Sequence, residues 1–116
     1  MSDLEHIRGQ FPSLELARAD VERDGFQPVE YEHPNAETFE THCHPIEETV
    51  YLLRGSMTFT VAGKAYPLSR GDKLRLPALT PHSVVVEADT MYLMGWSEMV
   101  TWREFRVPCP PDPDSP

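Results

Sequence analysis

His42-Cys43-His44-Pro45-Ile46-Glu47-Glu48-Thr49-Val50-Tyr51-Leu52-Leu53-Arg54-Gly55 is the stretch on which the reading of this chain turns. Residues two apart on a strand share a face, so the imidazoles of His42 and His44 point together and Cys43 points the other way. Pro45 interrupts that strand, and residues 49–53 resume it with a β-branched and aromatic run. Glu48 then opens the new strand and can return a carboxylate to the histidine face. Farther on, Thr80-Pro81-His82 opens a third strand over 83–86 and brings another imidazole from across the sheet. Three neutral imidazoles and one carboxylate suit a divalent transition metal with positions left for water or substrate.

Outward from this stretch the chain reads as mostly strand. Met57, Phe59 and Val61 alternate with Ser56, Thr58 and Thr60; Leu74 and Leu76 alternate with Lys73 and Arg75; Val29 and Tyr31 alternate with Glu30 and Glu32. Turn signals fall between them at Pro34-Asn35, Arg54-Gly55, Ala62-Gly63-Lys64, Arg70-Gly71-Asp72 and Glu87-Ala88-Asp89. One helix is expected over 13–24, where Leu14, Ala17 and Val21 recur at helical spacing, Ser13 can cap the start and Gly25 the end. Short strands at intervals of about ten residues describe an all-β antiparallel sandwich or barrel with this helix packed outside.

The 116 residues carry 19 acidic and 10 basic side chains, and the resulting charge of −9 argues against nucleic acid and anionic membranes as partners. Twelve of the acids lie in residues 1–50 with only three bases, and apart from Glu48 they read as a solvated shell on one side of the barrel. A chain of this length forms one domain, removing roughly 65% of its unfolded surface from water. The single domain is expected over 1–107, followed by a disordered or extended tail over 108–116 that holds five prolines. The start lacks the basic then apolar pattern of a secretory signal and no apolar run reaches the ~20 residues of a membrane helix, so a cytoplasmic protein is expected. In that compartment Cys43 and Cys109 are expected as free thiols, Cys43 as a small buried apolar residue.

The same residues resemble the cupin superfamily, and in particular its small single-domain proteins. The first motif of that family has two histidines separated by one residue, then a glutamate and a glycine; His42, His44, Glu48 and Gly55 fall on its spacing. Gly71, Pro77 and His82 fall on that of the second. The resemblance covers about residues 31–97, and it departs from the family pattern at Ala36, Leu79 and Val86, where the family has glycine, glycine and asparagine. It implies the cupin double-stranded β-helix, a jelly-roll-like barrel of roughly six to eight strands. Carried over, it also implies His42, His44, Glu48 and His82 as ligands of iron, manganese, nickel, zinc or copper.

By strand parity Val50, Leu52, Met57, Phe59, Val61, Val84 and Val86 share the interior with the ligands. Residues 91–96 offer either Tyr92, Met94 and Trp96 or Met91 and Leu93. His33 shares a face with Val29 and Tyr31 and can approach the cavity, Glu47 points outward, and His6 lies in a loose start. An apolar cavity of this kind suits a small organic molecule or dioxygen. The expected function is a metal-dependent enzyme, of dioxygenase, isomerase or lyase type, with Glu48, Tyr31 and Tyr92 as candidate catalytic groups. A non-catalytic binding or sensing cupin is the alternative. A homodimer is expected, with its seam at the strand over 29–33 or at the strand ending at Trp96.

Overall fold

The computed structural model describes residues 4–97 and 107–109. Its elements are β1 (Glu5–Ile7), α1 (Leu14–Arg23), β2 (Gln27–His33), β3 (Glu37–His42), β4 (Glu48–Arg54), β5 (Met57–Val61), β6 (Lys64–Leu68), β7 (Lys73–Leu76), β8 (His82–Val86) and β9 (Thr90–Trp96). All pairings among the described strands are antiparallel. A five-stranded sheet in the order β1-β7-β4-β9-β2 faces a four-stranded sheet in the order β3-β8-β5-β6. The nine described strands exceed the six to eight expected. The addition is β1, where His6 pairs with Leu74 and its imidazole meets Asp72 at 3.2 Å, so residues 5–7 are held rather than loose.

The helix forms where its signals stand. The Ser13 Oγ accepts the Leu16 N–H at 3.2 Å, a cap worth about 1 kcal/mol. At the other end Gly25 takes φ +76° and the Phe26 N–H reaches back to the Val21 carbonyl at 3.0 Å, closing the helix with a left-handed residue. Ala17 and Val21 then bury against Tyr51, Leu53 and Leu93 on the outer face of the five-stranded sheet. Gly95 permits this approach, because a Cβ there would lie 3.1 Å from Val21 Cγ2.

The larger core fills the space between the sheets with Val50, Leu52, Met57, Phe59, Val61, Leu74, Leu76, Val84 and Val86. β4 is therefore buried on both faces, which is why residues 49–53 read as a nearly continuous apolar run. Gly55 turns the chain out of β4 at φ +86°, in a place where a Cβ would sit 2.7 Å from the Thr90 Cα. No other residue fits there.

Three expectations are corrected. Cys43 and Cys109 form a disulfide with Cα atoms 5.3 Å apart, not free thiols. The Val107 N–H also donates to the Cys43 carbonyl at 3.0 Å, so residues 107–109 are tied to the barrel, while residues 110–116 of the expected tail lie outside the described residues. β9, the strand ending at Trp96, lies between β4 and β2 and has no free edge to pair with a second copy. Asp20, counted with the solvated acids, is 5% exposed on the buried face of the helix.

Candidate metal and substrate site

The backbone delivers the histidines by two local devices. A register irregularity between Phe39 and His42 in β3 places His42 directly opposite His82, the first residue of β8. The turn before β8 then clamps the other side: the Leu79 N–H donates to the His44 carbonyl at 2.9 Å. Leu79 takes φ +60°, the conformation for which the family places glycine here.

His42, His44 and His82 each offer a nitrogen to one group whose ligand atoms all lie within 4.8 Å. Two of the rings are oriented from behind. His42 Nδ1 meets the Glu40 carbonyl at 2.6 Å and His82 Nδ1 the Thr80 carbonyl at 2.8 Å. A carbonyl only accepts, so Nδ1 carries the proton in both, and Nε2 keeps its lone pair. The His44 ring packs edge-on to Trp96 at 5.1 Å.

Glu48 opens β4, 3% exposed, with Oε1 at 3.2 Å from His82 Nε2 and 3.7 Å from His44 Nε2. Burial pushes its carboxyl up to about 8. Among the described residues, no lysine or arginine lines the cavity. Three imidazoles, two of them held by backbone carbonyls, and a desolvated carboxyl group form a donor set that fits a divalent transition metal. Cys43, between the two histidines in sequence, faces away and is committed to its disulfide. Glu47 points outward as expected and pairs with Arg75.

These groups open into a cavity of about 580 Å³, lined otherwise mainly by apolar and aromatic side chains such as Phe39, Met57, Phe59, Val84 and Met94. The alternatives for β9 resolve in favour of Tyr92, Met94 and Trp96, while Leu93 packs beneath the helix with Met91 beside it. Tyr31 stacks on Tyr92 with ring centroids 5.3 Å apart. Burial raises the Tyr31 phenol and the charge of Glu48 adds to this, against a hydrogen bond with the Trp96 side chain. The Tyr92 phenol is pushed above the ordinary tyrosine range by burial and by the charges of Tyr31, Glu37 and Glu48.

His33 reaches the cavity and lies 2.9 Å from the Tyr92 hydroxyl through Nε2 and 2.9 Å from Glu37 Oε2 through Nδ1. Glu37 went unread in the sequence as a site residue. The Pro34-Asn35 turn, which folds position 37 back beside position 33, was the available signal.

The sequence model of the family described as Cupin domain matches residues 29–95. Among solved structures, an RmlC-like cupin protein from Desulfovibrio desulfuricans aligns at 27% identity with a TM-score of 0.52, over 61% of this chain and 70% of that one. The DMSP lyase DddQ from Ruegeria pomeroyi aligns at 28% identity and TM-score 0.52, over 60% of this chain but only 36% of the lyase. A TDP-quinovose 3,4-ketoisomerase from Campylobacter jejuni shares the fold at TM-score 0.59 and 13% identity, over 69% of this chain and 68% of that one. No curated protein matches by sequence. With more than half of its length matched by the family model and two antiparallel sheets closing around the motif residues, this chain belongs to the cupin family.

Proposed function

We propose that this cupin is a metal-dependent enzyme of lyase or isomerase type that acts on a small organic substrate, with His42, His44, His82 and Glu48 holding the metal. The observation that carries this reading is that one apolar cavity contains both the converged imidazoles and a second set of proton-handling side chains, Tyr31, Tyr92 and His33. The 28% identical relative named as a lyase supports the same class.

When bound, a divalent metal supplies Lewis acidity that polarises a carbonyl or carboxylate oxygen and acidifies the adjacent C–H. The rest falls to the chain. Met57, Phe59, Val84 and Met94 exclude water and hold the carbon skeleton, and a phenol on the β2 and β9 wall moves the proton.

The test is metal analysis of the protein loaded in turn with manganese, iron, nickel, zinc and copper, followed by turnover in deuterated water read by proton NMR. The substrates are DMSP and a panel of small β-substituted carboxylates and keto acids. His82→Ala should lose metal loading and turnover together; turnover retained by the metal-free variant overturns the proposal. A compound that raises the melting temperature without being converted favours a non-catalytic binding cupin instead.

A further inference from the structure

The cavity wall away from the histidine cluster carries a second connected set of polar side chains. Glu37 is 51% exposed at its side chain, His33 is 11% exposed and Tyr92 is 7% exposed, so the set runs from solvent inward to the cavity. Its directions are set by chemistry. A carboxylate only accepts hydrogen bonds, so His33 Nδ1 carries the proton donated to Glu37 Oε2 at 2.9 Å. In the neutral ring Nε2 then holds a lone pair, and the Tyr92 hydroxyl at 2.9 Å must donate to it.

This is the order of a nucleophile or base, an imidazole that takes its proton, and a carboxylate that fixes the tautomer. Ring stacking holds it in place. His33 lies parallel to Tyr92, 10° between planes at 5.4 Å, and edge-on to Phe39 at 6.0 Å, while Tyr31 also stacks on Tyr92. Tyr31 has no such imidazole behind it among the described contacts; its side chain is engaged by Trp96.

We propose that Glu37, His33 and Tyr92 form a proton relay in which Tyr92 is the catalytic base of the cavity and His33 and Glu37 are its positioning residues. The assignment rests on the lyase or isomerase reading above. In the forward step the substrate C–H proton passes to Tyr92 Oη as the phenol's own proton passes to His33 Nε2, giving an imidazolium beside Glu37. The C–H electron pair stays on the substrate, where in elimination it becomes a C=C bond as the β group leaves with its bonding pair. In isomerisation the same proton returns to a neighbouring atom. Burial holds the Tyr92 phenol against losing its proton unaided, which is the difficulty an adjacent imidazole removes.

Two measurements decide it. The first needs no substrate: nitrogen NMR of histidine-labelled wild type should show His33 as the Nδ1–H tautomer with Nε2 accepting, and Tyr92→Phe should shift that Nε2 resonance. An Nε2–H tautomer overturns the relay. The second is turnover of whichever panel compound the wild type converts. Tyr92→Phe should lower kcat by about 100-fold or more and His33→Gln by about 10–100-fold, with KM within about twofold in each. Full kcat in either variant overturns the relay, and a rise in KM with kcat unchanged reduces these residues to substrate packing. If wild type converts nothing, the functional reading fails while the tautomer still decides the relay.

Discussion

β4 buries two acid systems on its two faces, and they behave in opposite ways. On the outer face, beneath α1, Asp20 meets the Lys73 ammonium at 2.5 Å and the Tyr51 hydroxyl at 2.6 Å and also pairs with Arg23. Burial alone would raise its carboxyl, but these donors and the lysine charge outweigh it and hold the group below its ordinary value. On the inner face Glu48 is as deeply buried, has imidazoles rather than a lysine beside it, and is pushed up to about 8. One acid is satisfied within the fold. The other has only imidazoles beside it and belongs to the proposed metal site, which is how the outer cluster reads as structural and the inner one as a candidate site.

Removing the outer acid should therefore destabilise the fold, and this is the largest effect expected. Asp20→Ala leaves Lys73 buried at 8% exposure with only Asp24 at 3.7 Å, and should cost about 3–5 kcal/mol in urea denaturation. The pH dependence has a definite sign. A carboxyl lowered in the folded state contributes stability that is complete above the unfolded value near 3.8 and is lost as pH falls through the lower folded value. Below about pH 4 wild type should thus lose stability more steeply than Asp20→Ala. Parallel curves would show that Asp20 is not the acid-sensitive group.

The disulfide is the covalent support of the inner side. It closes a 66-residue separation and anchors Cys43, whose neighbours on both sides are site histidines. Reduction by a dithiol should cost about 2–4 kcal/mol of stability and weaken metal binding along with it. Metal affinity unchanged after reduction would show that the hydrogen bonds to the Glu40, His44 and Thr80 carbonyls hold the site unaided.

Glu48→Gln provides the reverse of the Asp20 experiment. Stability should change by less than about 1 kcal/mol, since no buried cationic side chain loses its partner. Metal affinity should fall at least about tenfold, or about 1.4 kcal/mol, in competition with a chelator. A loss of fold with affinity retained would invert the contrast between the two faces.

The inner face was largely legible because its motif is local: His42, His44 and Glu48 span seven positions, strand parity aims the two histidines together, and Glu48 opens the next strand beyond Pro45. His82 needed the second motif, and its pairing with His42 depends on an irregularity in β3 that no residue type announces. The outer face was harder to read. Asp20 follows Ala17 by three residues, which puts a charge on the buried stripe of the helix, yet its partner Lys73 lies 53 residues away. The Cys43–Cys109 bond and the β1–β7 pairing are distant in the same way. Charge counts and compartment reasoning stood in for them, and tertiary contact overrode both.

Leu79 gives the smallest and most local test. The family places glycine here, and this chain keeps the glycine conformation with a leucine at φ +60°. The left-handed backbone costs an L-residue about 1–2 kcal/mol, whereas glycine would add only about 0.5–1 kcal/mol of unfolded-state entropy. Little burial is at stake, since Leu79 is 45% exposed. Leu79→Gly should therefore raise stability by up to about 1 kcal/mol and leave the N–H donated to the His44 carbonyl in place. Metal affinity should stay level. A variant that is more stable but binds metal less tightly would mean that the leucine stiffens the turn between His44 and His82, and that strain at this position serves the site rather than the fold.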